Sequence, residues 1–166
     1  MLETAQTLFA ERGYADVTMD EVAAAVGVTK PLLYNYFGNK ERLYAACMAP
    51  AAKALADALV AAVREAPGEA LGRAVHAFFG FLDGDREGWR VLFDETLPAS
   101  VAAYREHLAA LIVAELPAAP NTEPLTVAVL GAAEALGRWW LRTEAMPAAT
   151  AADLLIATLE PGLRNR

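Results

Sequence analysis

The sequence predicts an all-α chain of about nine helices, and three observations carry that expectation. Apolar residues make up 56% of the chain, much of that alanine, a composition that suits closely packed helices better than sheet. Apolar positions recur at i, i+3, i+4 and i+7 in one segment after another. Glycine, proline and asparagine fall between those segments, where helices stop.

Taken in order, Leu2, Ala5, Leu8 and Phe9 form an apolar stripe from Met1 to Tyr14, and Gly13 ends that helix. Thr18 and Glu21 stand in the T-x-x-E spacing of a capping box, where hydroxyl and carboxylate each satisfy a free amide of a first turn. Met19, Val22, Ala23 and Val26 give this second helix one apolar face, and Gly27 offers the left-handed residue that closes it. Thr29 suits the N-cap of a third helix, Pro31 is tolerated in its first turn, and Leu33 and Phe37 face inward. Gly38 and Asn39 end it.

Helix, glycine-containing turn, helix is the outline of a helix-turn-helix, whose second helix enters the DNA major groove N-terminus first. Lys30, Pro31, Leu32, Tyr34, Asn35 and Tyr36 lie away from the Leu33/Phe37 stripe, a surface suited to DNA. The competing reading is a small helical hairpin whose tyrosines pack half-buried. Lysine reads guanine edges and apolar groups touch a thymine methyl, so base contacts are expected from Lys30, Pro31, Leu32 and Tyr34.

Asn39 caps a fourth helix that runs from Lys40 to about Glu65 through Leu43, Ala46, Cys47, Leu55, Leu59 and Val63, with Pro50 as an expected kink. Leu71, Val75, Phe78 and Leu82 stripe a fifth helix over residues 69–83, and Trp89, Leu92 and Phe93 begin a sixth. Pro98 opens a seventh that runs through Tyr104, Leu108 and Ile112 to Leu116. After the proline-rich stretch 117–124, helices from Leu125 to about Arg142 and from Pro147 to Leu159 complete the nine, with Thr150 and Asp153 as a candidate cap. These last two are apolar on more than one face, at Val129, Leu130, Leu136, Leu154 and Ala157, which marks them as core or as an interface.

The net charge of -7 and pI near 4.8 run against a general nucleic-acid binder. Within residues 1–42, Arg12, Lys30, Lys40 and Arg42 face Glu3, Glu11, Asp16, Asp20, Glu21 and Glu41, a local balance of -2. Three of those cations cluster at the third helix and just beyond it, so a local patch is expected to serve, with steeply salt-dependent binding. The single cysteine, Cys47, allows no intrachain disulfide. With no signal-peptide pattern and no uninterrupted apolar run of about 18 residues, the expected location is the cytoplasm. His76 and His107 lack metal-ligand spacing, Cys47 has no base beside it, and no phosphate loop or G-x-S-x-G occurs. No catalytic residue, metal ligand or cofactor is therefore expected.

The runs Leu8-Phe9-Ala10-Glu11-Arg12-Gly13-Tyr14, Thr18-Met19-Asp20-Glu21-Val22-Ala23, Gly27-Val28-Thr29-Lys30 and Leu33-Tyr34-Asn35-Tyr36-Phe37-Gly38-Asn39-Lys40-Glu41 resemble the N-terminal domain of the tetracycline-repressor (TetR) family, over roughly the first quarter of the chain. The resemblance implies a homodimeric, ligand-responsive transcription regulator with a helix-turn-helix DNA-binding domain over residues 1–45 and a helical ligand-binding and dimerisation domain over residues 46–166. It implies phosphate contacts from Thr18, Thr29, Asn35, Tyr36 and Lys40, which hold the DNA backbone without reading sequence. Leu32 departs from the family, where a small or hydroxylated residue is common. Family members also usually carry a few more residues, often basic, before the first helix, and lack of that arm is expected to reduce affinity.

In the family the fifth to seventh helices, closed by the eighth, hold the inducer, the fourth transmits its signal, and the last two pair with their twins. The candidate ligand-binding residues are accordingly Phe78, Phe79, Trp89, Phe93, Tyr104, His107 and Trp139, with His76, Glu134 and Arg138 as further polar groups. The same aromatic stripes read as plain core. The expected function is a dimeric repressor released from a palindromic double-stranded operator by a small hydrophobic effector. A helical small-molecule-binding or partner-binding dimer with a vestigial DNA-binding head is the alternative, and the acidic head favours it.

Overall fold

The computed structural model describes residues 1–94, 96–97, 103–116 and 119–164. Among these residues it holds nine α-helices and no strand: α1 Leu2–Asp16, α2 Met19–Val26, α3 Lys30–Phe37, α4 Lys40–Glu65, α5 Ala70–Gly84, α6 Arg86–Leu92, α7 Tyr104–Glu115, α8 Thr122–Thr143 and α9 Ala148–Arg164. A 3-10 turn, Pro67–Glu69, precedes α5. The chain forms two compact units, Met1–Lys53 with Asp85–Tyr104, and Ala54–Gly84 with Arg105–Arg166.

In the first unit the local signals act as their chemistry requires. Glu21 N donates to Thr18 Oγ1 (3.2 Å) and Thr18 N donates to Glu21 Oε2 (2.8 Å), a complete capping box at the start of α2. Gly27 takes up the left-handed conformation (φ 78°, ψ 30°) and ends that helix. Asn39 Oδ1 accepts from Arg42 N (2.8 Å) at the start of α4. Ala5, Phe9, Val22, Leu33, Leu43 and Tyr44 are buried together at the centre. The Tyr44 ring meets Phe9 and Tyr14 edge-on, with centroids 4.8 and 5.1 Å away, and its hydroxyl donates to Val91 O (2.6 Å), which fastens α6 into this unit.

By length and composition α4 is the one helix among the described residues that could cross a membrane. Its larger apolar side chains lie inside the protein. Leu43, Cys47, Leu55, Leu59 and Val63 are buried, and Pro50, Lys53 and Asp57 interrupt any lipid-facing run. α4 continues as one helix through Pro50.

In the second unit α5 lies along α9, and α8 packs on both. Small residues make that approach close, since Gly137, Ala148, Ala151 and Ala152 are all buried. Trp140 Nε1 donates to Met146 O (2.6 Å) across the turn between α8 and α9. On the outside, Val127 of α8 and Leu154 of α9 are 55% and 51% exposed.

Several boundaries differ from those read in the sequence. α8 begins at Thr122 rather than Leu125, and α9 runs to Arg164 rather than Leu159, passing Pro161. Thr150 and Asp153 form no cap, because α9 already begins at Ala148, where Pro147 O accepts from Ala151 N. Thr29 has the extended backbone of an N-cap but makes no side-chain cap hydrogen bond. The expected opening of the seventh helix at Pro98 falls outside the described residues, and helix is present from Tyr104.

Candidate nucleic-acid interface and ligand cavity

The burial of Leu33 fixes which way α3 faces. With Leu33 in the core and Phe37 half-buried one turn on, Lys30, Pro31, Leu32, Tyr34, Asn35 and Tyr36 all stand exposed. Leu32 is 41%, Tyr34 39% and Tyr36 70% exposed, so Tyr36 stands well out from α3 while Tyr34 is the more covered of the two tyrosines. Thr18 and Thr29 are exposed beside them in the chain, and Lys40 is half-buried. All nine residues expected at DNA lie in the first unit.

Lys30, Arg12 and Lys40 are engaged by carboxylates or by backbone. Lys30 Nζ stands 2.8 Å from Asp20 Oδ1 and 5.9 Å from the centre of the Tyr34 ring. The hydrogen bond from Lys30 to Asp20, and the Asp20 charge, raise the lysine pKa. Arg12 bridges Glu21 (2.8 Å) and donates to Asp16 O (2.7 Å). The Glu21 carboxyl is held down at about 2, chiefly by the Thr18 hydroxyl, then by the Thr18 backbone and Arg12. Thr18 Oγ1 donates to Glu21 Oε2 at 2.7 Å, so this hydroxyl reaches a phosphate only by sharing.

Lys40 is placed differently. Its ammonium lies 4.3 Å from the centre of the Tyr14 ring and donates to Ala15 O (3.3 Å). Burial lowers its pKa, against the opposing pull of Asp16, Glu21 and Asp94. No sequence signal marked Asp20 or Arg12 as partners of this surface, since the pairings depend on how α1, α2 and α3 meet.

The second unit holds a partly open cavity of about 260 Å³ between α4, α5, α7 and α8. Leu59, Val63, Leu71, Val75, Phe78, Ile112, Val129 and Leu130 supply most of its wall. Thr122 and Thr126 are the polar side chains that reach it, and Thr126 Oγ1 already donates to Thr122 O (2.8 Å). The wall carries no charge, and α6 contributes nothing to it. A separate polar hollow of about 610 Å³ lies beside Arg73, His76, Asp153 and Glu160, with His76 Nε2 3.1 Å from Asp153.

Of the seven residues expected at a ligand, only Phe78 lines the cavity. Phe79 is buried next to it and meets the Phe78 ring edge-on at 5.8 Å. Trp89 and Phe93 stack on each other at 4.0 Å in the first unit, where Tyr104 also donates its hydroxyl to Ala52 O (2.8 Å). His107 is exposed and Trp139 half-buried, neither on the cavity wall. Glu134 and Arg138 approach each other at 3.8 Å along α8, away from it. Phe79, Trp89 and Phe93 went to the core, and aliphatic side chains with small alanines form most of the cavity wall. The sequence carries no mark of that, because a cavity records where side chains fail to meet.

Comparison with known proteins gives a consistent set of likenesses. Residues 1–47 match the family model described as bacterial regulatory proteins, tetR family, and residues 67–159 match that of the tetracyclin repressor-like C-terminal domain. A TetR-like transcriptional regulator from Rhodococcus sp. RHA1 superposes with a TM-score of 0.77 at 31% identity, over 99% of this chain and 94% of that one. The HTH-type transcriptional activator FasR of Mycolicibacterium smegmatis is 38% identical over 100 residues, 57% of this chain and 44% of FasR. The HTH-type transcriptional regulator EthR of the same organism is 29% identical over 75% of this chain and 64% of EthR. The match thus spans less than half of FasR and under two thirds of EthR.

Proposed function

Because the chain belongs to the TetR family of DNA-binding transcriptional regulators, which are not enzymes, we propose that it is a dimeric, cytoplasmic repressor that leaves its operator when a small hydrophobic effector enters the body. By role the head is residues 1–45 and the body residues 46–166, although residues 46–53 and 85–104 pack in the same compact unit as the head. The observation that carries the reading is the exposed face of α3, where Lys30, Pro31, Leu32 and Tyr34 stand ready for base edges and Asn35 and Tyr36 for phosphates. Thr18, Thr29 and Lys40 complete the phosphate contacts.

Dimerisation is supported by the open outer faces of α8 and α9. Val127 and Leu154 are large apolar side chains left to solvent, and Gly131 has open space around it. A two-fold dimer would carry two α3 helices to half-sites ~34–36 Å apart on a palindrome. Repression is the reading proposed for a dimer that occupies the promoter and excludes other proteins from it; relatives include both an activator and a negative regulator.

The uncharged cavity wall supports an aliphatic effector without a buried charge, held by apolar contact rather than by polar anchors. The placement of Phe78 on that wall, and of the other six residues off it, moves the expected contacts toward Leu59, Val63, Val75, Ile112 and Val129. Linkage requires that operator and effector weaken each other by the same factor.

The test is fluorescence anisotropy of the protein with duplex from immediately upstream of its coding region, beside a scrambled duplex, at two salt concentrations. Selective, salt-sensitive binding is the expected result. A ligand- or partner-binding dimer with an idle head is the second reading, favoured by the ion pairs that occupy Arg12 and Lys30. Equal binding to both duplexes at both salts would establish it instead.

A further inference from the structure

Gly13 has φ 81° and ψ 162° inside α1, a backbone that breaks the helical ladder and that side chains resist. Helical continuity would have the amides of Tyr14 and Ala15 bond to carbonyls four residues back. Here other acceptors serve them. Tyr14 N donates to Asp94 Oδ2, and Ala15 N donates to Thr96 Oγ1 (3.2 Å). Asp94 is itself held, because its Oδ1 accepts from both Thr96 N (2.8 Å) and Thr96 Oγ1 (2.7 Å). A hook just past α6, about eighty residues along the chain, thus holds the two residues after the break.

Those two residues are the ones that hold Lys40. The ring of Tyr14 lies under its ammonium and the carbonyl of Ala15 accepts from it. We infer that Asp94 is a positioning residue for DNA-phosphate binding: through the backbone of Tyr14 and Ala15 it sets where the Lys40 ammonium stands. The inference rests on the reading above that Lys40 contacts phosphate. Asp94 touches no DNA in this scheme; its charge also acts on Lys40, and Asp94→Asn, which drops the charge but keeps an acceptor oxygen, separates that pull from the hydrogen bonds that set the geometry.

Two measurements on the full chain test it. In NMR spectra of the free protein with labelled lysines, the Tyr14 ring should shift the ε-protons of Lys40 upfield. Asp94→Ala should return that signal to the position of a solvated lysine, Asp94→Asn, which keeps an acceptor oxygen, should restore the shift, and Thr96→Val should lose part of it. The Thr96 variant keeps the test open if Asp94→Ala fails to fold. An unmoved Lys40 signal in Asp94→Ala, or in Thr96→Val where the former does not fold, overturns the inference.

The second measurement is anisotropy with a labelled mixed-sequence duplex across a range of salt, which reads phosphate binding without an operator. Lys40→Ala should lower the slope of log K on log salt by about 0.9 for each phosphate that the lysine neutralises. Asp94→Ala should lower it by the same amount, Asp94→Asn should not, and Asp94→Ala should add nothing in a Lys40→Ala background. A full slope in Asp94→Ala beside a reduced one in Lys40→Ala refutes the role of Asp94 alone. A full slope in Lys40→Ala removes that lysine from the phosphate-binding groups, and the role of Asp94 in DNA binding with it, while the NMR result still reports whether Asp94 holds the side chain.

Discussion

Lys30 Nζ stands 2.8 Å from Asp20 Oδ1, so the only cation of α3 is held by a carboxylate from the first turn of α2. DNA must compete with Asp20 for this lysine, and phosphates approaching α3 also meet the Asp20 charge. Asp20→Asn is therefore expected to tighten binding to every duplex, by roughly two- to fivefold at low salt for an exposed pair, with less gain as salt rises. Anisotropy titrations of the two proteins check this. Weaker binding by the variant would mean that Asp20 aims Lys30 instead of withholding it.

The capping box makes the head sensitive to acid in a defined range. The folded-state pKa of Glu21 is depressed to about 2 from an ordinary 4.5. Its contribution is therefore present above the unfolded value and lost as pH falls from about 4.5 through about 2. Thr18→Ala removes the largest cause of the shift together with the N-cap. It should cost about 1 kcal/mol at neutral pH and flatten the stability profile across that acidic range. Denaturant unfolding at successive pH values reads both effects, and an unchanged acid profile would contradict the assignment.

Tyr36 is the most exposed aromatic of the interface, at 70%, with its ring 6.4 Å from that of Phe37, so removing only its hydroxyl leaves the ring contact in place. Tyr36→Phe should weaken operator and scrambled duplex by the same factor, since a phosphate contact carries no sequence information. Tyr34→Ala should instead narrow the gap between the two duplexes. Unchanged affinity in Tyr36→Phe would take its hydroxyl out of the phosphate contacts.

Ala133 lines the cavity and is itself buried, so a larger side chain there has space in front of it. Ala133→Phe should keep DNA binding while abolishing the thermal stabilisation given by aliphatic effectors. Retained stabilisation by the same compounds would place the effector elsewhere. Thr126→Val is the matched control, because its hydroxyl already bonds Thr122 O and an aliphatic ligand makes no use of it.

The sequence by itself determined the all-α class, most of the helices among the described residues and the helix-turn-helix near the N-terminus. Those features rest on short-range chemistry: Thr18 and Glu21 are three residues apart, Gly27 closes one helix, and Leu33 leaves α3 a single outward face. Each is complete within a turn or two of chain, so spacing alone reveals it. The tertiary structure decided what the charged groups do and where the empty space lies. Asp20 meets Lys30 across a helix pair, Asp94 meets Tyr14 across eighty residues, and the cavity wall draws on α4, α5, α7 and α8 together. The aromatics Trp89, Phe93 and Tyr104 look alike in sequence whether they line a site or fill a core. In the structure they stack and hydrogen-bond within the first unit, a placement that depends on which surfaces meet and that one-dimensional periodicity leaves open.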